Sequence, residues 1–200
     1  YTHSRDVMFY VSYGKGSKAG GFVGAQSTGG QNAFEFEGET SQSIELGTKL
    51  TLLDGQATLN IAAYTSKFED LQVSGFNAAT NAFITTNAAS AKSQGVEVEG
   101  NWRVNSSVSV SGSLAYNDAT YDSYPTAPCI WKNGVPPAAN CVEDIGGTTL
   151  PRAPKWSGAF NVNIDHPLQN GLRVLADATV RGRSGTYLEE NYSPASYQDS

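Results

Sequence analysis

Few residues in this chain have the type and spacing to do chemistry. Cys129 and Cys141 are its only cysteines, and both lie in one Pro/Asn/Gly-rich stretch without a histidine nearby. A zinc site would need more ligands at short spacing. The pair therefore reads as a disulfide closing a small exposed loop, which implies an oxidising compartment; two unrelated free thiols are the alternative. A bridge of this size constrains the unfolded chain by about 2–4 kcal/mol. Glu97 and Glu99 share one face at strand spacing. Two carboxylates so placed could serve a glycosidase, but with Arg103 on the same face a solvated wall is the better reading. Gly14-Lys15-Gly16-Ser17-Lys18-Ala19 fits a dinucleotide-binding glycine pattern after a strand. The Gly20-Gly21-Phe22-Val23-Gly24 that follows does not open the helix whose N-terminus would receive a pyrophosphate. His3 and His166 stand far apart and form no constellation. Neither a nucleophile elbow nor a Walker lysine occurs. No catalytic, cofactor or metal residues are expected, and the chain is not read as an enzyme.

The elements that carry these residues are strands. Of the 200 residues, only 16 % are charged and 39 % apolar, with 21 glycines and 10 tyrosines. That mixture suits strands with one polar and one apolar face and suits helices poorly. Period-two alternation recurs along the chain. Ser43–Leu52 sets Ile44, Leu46, Leu50 and Leu52 against Glu45, Gly47, Lys49 and Thr51. Gly95–Val104, Ser107–Asn117, Trp156–Asp165 and Leu172–Arg183 repeat the pattern. Asp6–Lys15 and Gln56–Val73 fit with breaks, the second losing register near Tyr64. About seven strands are expected. Leu53-Asp54-Gly55, Asn105-Ser106 and Pro167–Gly171 read as tight turns. Gly16–Gly38, Tyr121–Thr149 and the tail from Leu188 read as long polar loops, with Gly75–Asn81 intermediate. Short and long connections alternate, which puts the short turns on one rim and the long loops on the other.

Three features turn this pattern toward a membrane. The strands match the roughly 9–11 tilted residues that cross a bilayer. Their polar faces carry charges of both signs along their length, as a water-filled lumen would require. Aromatic residues (Tyr10, Tyr13, Tyr64, Phe68, Trp102, Tyr116, Tyr121, Trp156 and Tyr187) gather near strand ends, as in an aromatic girdle. No run approaches the apolar length of a transmembrane helix. A net charge of −6 without a basic stripe argues against nucleic acid as a partner. Small barrels of about eight strands fill their interior with side chains, so charged inner faces imply a wider barrel with further strands. The alternative is a soluble or surface β-sandwich, a carbohydrate-binding or adhesin module.

The motifs themselves resemble a family. Tyr10-Val11-Ser12-Tyr13-Gly14-Lys15-Gly16 before Gly20-Gly21-Phe22, Glu39-Thr40-Ser41 with Ile44-Glu45-Leu46-Gly47-Thr48-Lys49, Leu71-Gln72-Val73, Gly95-Val96-Glu97-Val98-Glu99, and Leu150-Pro151-Arg152-Ala153-Pro154 follow one another as in the second half of a TonB-dependent outer-membrane receptor barrel. The resemblance implies an all-β fold: seven meandering antiparallel strands of a barrel of about 22. Residues 1–200 would be a partial barrel domain, with the plug domain and terminal strands outside this chain. It further implies active uptake of an iron–siderophore, cobalamin or oligosaccharide, powered through the plug by the TonB complex. Outer-membrane lipid and a small-molecule ligand would be the other partners. The location would be the bacterial outer membrane, long loops extracellular. Phe34, Phe36, Tyr121, Tyr124 and Trp131 in those loops could stack on a ring-containing ligand; packing of the loops on themselves is the alternative.

Overall fold

The computed structural model describes residues 6–22, 35–77, 82–138 and 141–200. All seven expected strands form: β1 Val7–Lys18, β2 Glu39–Leu52, β3 Ala57–Asn77, β4 Ala82–Arg103, β5 Val108–Ser123, β6 Trp156–Pro167 and β7 Arg173–Arg183. They pair antiparallel in chain order as one seven-stranded meander. Side chains alternate between faces, so the register decides what each face carries. One row of directly paired residues runs Val11, Leu46, Ala63, Val96, Tyr116 and Trp156. Another runs Val7, Leu50, Leu59, Gly100, Gly112, Phe160 and Val180. Together they make a continuous apolar face.

That face is open. Val11 is 71 % exposed, Leu46 57 %, Leu114 52 % and Val180 73 %. A sandwich would lay a second sheet over such a surface. Among the described residues no second layer covers it, so the sandwich alternative fails on packing. The apolar stretch spans Ile44–Leu52 on β2 and Val108–Tyr116 on β5, which matches a tilted bilayer crossing. Its loop-side border carries Tyr13, Tyr116 and Trp156, the last two with ring centroids 4.8 Å apart. Trp102 marks the turn-side border.

Not every expected girdle aromatic belongs to that border. Tyr10, Tyr64, Phe68 and Tyr121 stand on the polar face, out of phase with Val11, Ala63 and Tyr116. Tyr10 pairs directly with Gly47 and Tyr64 with Gly95. A Cβ at Gly47 would strike the Tyr10 ring, and one at Gly95 would come within 2.9 Å of the Tyr64 hydroxyl. Each ring thus lies along the wall where its glycine partner leaves room.

The turns follow from their residues. Leu53, Asp54 and Gly55 take φ of 54°, 53° and 83°, tolerable for a short turn ending in glycine. Asn105 Oδ1 accepts the backbone N–H groups of Ser107 and Val108 at 2.8 and 2.9 Å, an Asx turn. The loop-side ends are longer than the alternation foretold. β4 begins at Ala82 rather than near Gly95, and β3 and β4 pair out to Asn77 and Ala82. The Thr/Asn/Ala/Ser-rich start of β4 shows no polarity contrast, because beyond the apolar face neither side of the sheet is lipid-like. β3 keeps register past Tyr64; its irregularity falls between Phe68 and Leu71, where Asp70 has φ 55°.

A charge in the middle of the apolar face should be costly, and one beside it on the polar face should not. In the full-length protein, Leu114→Arg is expected to lower folding stability in lipid vesicles by about 2–4 kcal/mol. Ser113→Arg is expected to change it by about 1 kcal/mol or less. Denaturant titration of membrane-inserted protein measures both.

Candidate functional site

Two regions can meet a ligand: the polar face and the loop assembly at its end. On the polar face the strands, together with Gln198, Asp199 and Ser200, line a trough of about 1010 Å³. Glu45, Lys49, Glu97 and Glu99 stand on one part of its wall, Arg181 and Arg183 on another. The Tyr10 hydroxyl donates to Glu45 Oε1 at 2.5 Å, and the Lys49 ammonium stands 5.8 Å from the Tyr10 ring centroid. Asn117 Oδ1 accepts from the Tyr64 and Ser93 hydroxyls at 3.2 and 2.8 Å. Arg173 grips Asp165 with two nitrogens, at 2.9 and 2.5 Å. Glu97 and Glu99 are therefore part of a wetted wall of mixed charge. Among the described residues no group of three or more His, Cys, Asp or Glu could hold a metal ion.

Residues 124–155 form the largest described loop. Ala127–Pro128 pairs with Val142–Glu143. Immediately beyond that ladder Cys129 and Cys141 are joined, with Cα atoms 5.4 Å apart. Lys132 Nζ reaches Glu143 Oε2 at 2.7 Å, and the Ile130 N–H reaches Glu143 Oε1 at 2.8 Å. The Lys132 ammonium, then the Ile130 N–H, hold the Glu143 carboxyl below its ordinary range. Beneath the bridge lies a small core of Val73, Ala89, Ala91, Tyr121, Tyr124, Ala127 and Ile145, flanked by Phe68, Leu71, Ile130 and Leu150. Phe68, Ala91 and Tyr121 are direct partners on the polar face of β3, β4 and β5. The loop thus folds inward over that face, because Phe68 and Tyr121 supply an apolar floor there.

The segment after β7 locks onto this loop. The Trp131 N–H donates to Asn191 O at 2.8 Å and the Arg152 N–H to Tyr187 O at 2.7 Å. The Tyr192 hydroxyl donates to Thr149 O. Tyr187 packs against Tyr192 and Tyr197, each at 5.0 Å between centroids. Glu190 lies between the loops, its carboxyl beside the Tyr121 and Tyr124 hydroxyls. Burial pushes its pKa up, and the two hydroxyls oppose that shift. Burial, with Glu190 alongside, likewise pushes the Tyr124 hydroxyl up. On the other side, Gln72 Nε2 donates to Ala19 O and Glu37 O at 2.9 and 3.0 Å, and Asn87 Nδ2 to Glu37 O at 2.9 Å. These amides tie the β1–β2 connection to β3 and β4 above the end of β2, where the side of β3 would otherwise be an open edge.

The residues expected to touch ligand are dispersed. Tyr121 and Tyr124 are 2 % and 5 % exposed and their rings, 5.3 Å apart, belong to the loop core. Trp131 is half-buried beside the segment after β7. Phe36 pairs with Gly21 in a short ladder that joins Gly21–Phe22 to Glu35–Phe36. Phe34 lies outside the described residues. Glu190, Asn191 and Tyr192 were missed; the signal was the recurrence of tyrosines at 187, 192 and 197 in an otherwise polar stretch. Gln72 and Asn87 carried no signal that sequence reading could use.

Residues 1–200 match the family described as TonB dependent receptor-like, beta-barrel. The chain is 27 % identical over 188 residues to the pesticin receptors of Yersinia enterocolitica and Yersinia pestis, covering 90 % of this chain. It spans 27 % of the length of those relatives. Among solved structures, the ferric yersiniabactin uptake receptor FyuA of Yersinia pestis matches all of this chain and 26 % of its own, at 20 % identity and TM-score 0.74. The siderophore receptor PiuA of Acinetobacter baumannii matches 94 % of this chain and 25 % of its own, at 17 % identity and TM-score 0.66. These structural likenesses show the fold.

The half-buried Glu190 carboxyl sets a pH dependence for the loop lock. Because the folded pKa of Glu190 lies above its ordinary 4.5, the packed loops bind more protons than the opened loops just above that value. Their stability is present below it and declines as pH rises through the raised pKa. Glu143 acts with opposite sign, since its lowered pKa gives stability that is lost as pH falls. Amide exchange at Trp131 and Arg152 should quicken as pH rises through the Glu190 titration, after correction for intrinsic exchange, and Glu190→Gln should remove that component. Separately, replacing both cysteines by serine should destabilise the loop by about 2–4 kcal/mol, read as faster proteolysis within residues 130–140.

Proposed function

This chain belongs to the TonB-dependent receptor-like β-barrel family, and from that membership we propose that the full-length protein is an outer-membrane receptor that actively imports a scarce nutrient. The observation that carries the reading is the division of the sheet: an open apolar face as long as a bilayer crossing, backed by a face of mixed charges around a wide trough. Lipid would lie on the first and water on the second. The strand pairing supports a longer barrel, because β1 and β7 each have one neighbour and hydrocarbon tolerates no open edge. Further strands and a plug, energised by the TonB complex, would complete the transporter. The long loops would be extracellular, where an oxidising environment suits the Cys129–Cys141 bridge.

The ligand class we favour is a ferric siderophore, because the relatives are named for a pesticin receptor, a ferric yersiniabactin uptake receptor and a siderophore receptor. Cobalamin and oligosaccharides are the other classes. Tyr121 and Tyr124 would act by holding the loops together, while the partly exposed Trp131 and Phe36 would remain available to a ligand.

Deletion of the full gene should abolish energy-dependent uptake of a radioiron-labelled siderophore by iron-starved cells, with restoration by the intact gene. Loss of cobalamin or oligosaccharide uptake instead would move the ligand class. Unchanged uptake of all three, with the protein recovered outside the membrane fraction, would sink the receptor reading.

A further inference from the structure

The register places a row of lysines on the outward face just past the aromatic border. Lys15, Gln42, Lys67, Lys92 and Thr120 are successive direct partners across β1 to β5. They are in phase with the apolar face: Lys67 follows Ala63 and Thr65, and Lys92 precedes Gln94 and Val96. Neither bulge intervenes, since the irregularities begin beyond Phe68 and at Ser90/Ala91. Lys67 and Lys92 oppose each other directly, and like charges so placed repel. Among the described residues none of the three lysines has a carboxylate within 4.0 Å. The ion pairs are Lys132–Glu143, Lys155–Asp118 and Arg173–Asp165. Three carboxylates stand near the row, one of them Asp122, exposed in the β5 irregularity two residues beyond Thr120. Glu69 lies two residues beyond Lys67 and pairs with Thr40, and Asp118 pairs with Gln94 one row nearer the apolar face. In a chain of net charge −6 the row is a local excess of cations.

We propose that Lys67 and Lys92, with Lys15 beside them, bind the phosphate groups of a phosphorylated lipid of the outer leaflet, whose acyl chains lie on the apolar face below. This rests on the membrane reading above. An anion between Lys67 and Lys92 relieves their repulsion, and the Gln42 and Thr120 side chains flank it with neutral hydrogen-bonding groups. The aromatic border of Tyr116 and Trp156 lies at headgroup level, so the lysines meet phosphate while the apolar rows meet hydrocarbon. A free anion would gain the charge contact alone; a lipid gains both.

The test uses the full-length receptor in neutral detergent and counts bound lipid by native mass spectrometry, with bis-phosphorylated lipid A and its dephosphorylated form as probes. Wild type should retain the phosphorylated form preferentially. The double variant K67Q/K92Q should bind it about 30-fold more weakly, from about 1 kcal/mol per lysine near a charged surface and 1.4 kcal/mol per tenfold. K67R/K92R should bind as wild type does, and K132Q, at the loop tip, should have no effect. Equal binding by K67Q/K92Q overturns the proposal. So does indifference of wild type to the lipid phosphates, or displacement of lipid A by an equal concentration of inorganic phosphate. Wild type that stays soluble without detergent and ignores vesicles would instead overturn the membrane reading.

Discussion

The structure depends on an unbroken backbone ladder whose register does not slip anywhere within the apolar face. In hydrocarbon an unpaired N–H or C=O has no alternative partner. A one-residue slip would also exchange the two faces of a strand completely, turning Glu97 and Glu99 to lipid and Val96 and Val98 to water. The pairing of β2 with β3 runs from Leu52↔Ala57 to Thr40↔Glu69 without interruption. The irregularities in β3 and β4 fall past Phe68 and at Ser90, beyond the last apolar row. Bulges are thus confined to the region where other donors and acceptors can compensate a missed pairing.

Beyond the border the rules change. There Asp70 can take a left-handed conformation, its carbonyl accepting from Asn87 Nδ2 at 2.8 Å, and Gln72 and Asn87 can anchor a neighbouring loop by side-chain amides. The loop assembly uses the ordinary means of a small domain: a compact core, a disulfide and charge-assisted hydrogen bonds. Its floor is borrowed from the sheet, since Phe68, Ala91 and Tyr121 stand on strands already fixed below. Rigidity therefore passes from the ladder upward, and the loop need only order its own residues against a wall that does not move.

The strands were legible in the sequence because the bilayer imposes the same alternation on each of them. Ile44, Leu46, Leu50 and Leu52 could be assigned to one face before any pairing was known, and the pairing agrees. What was not legible follows from the same cause. Residues 82–94 of β4 lie beyond the lipid, and where a loop covers them the covered side chains are the small Ala89 and Ala91, so nothing in the residue types marks two faces. Aromatic residues were ambiguous as well. Tyr116 and Trp156 border the lipid, whereas Tyr10 and Tyr64 cover glycines on the opposite face, and only register separates the two uses. The contacts of Glu190 with Tyr121 and Tyr124 join residues distant in sequence and leave no local pattern.

The burial of Tyr121 and Tyr124 bears on how recognition could evolve in such a fold. A tyrosine whose ring fills a core and whose hydroxyl meets the half-buried Glu190 carboxyl has no free surface with which to select a ligand. Changing it would open the loop before it altered specificity. The tip from Trp131 to Val135 is differently placed: it is held from below by the disulfide, by Glu143 and by Asn191, yet Val135 is 63 % exposed. Substitutions there, Lys132 excepted, leave the supporting bonds intact, because the others are made by backbone groups and by residues outside the tip. The arrangement separates the residues that keep the loop in place from those that can vary, which is what a barrel of constant wall and changeable ligand requires.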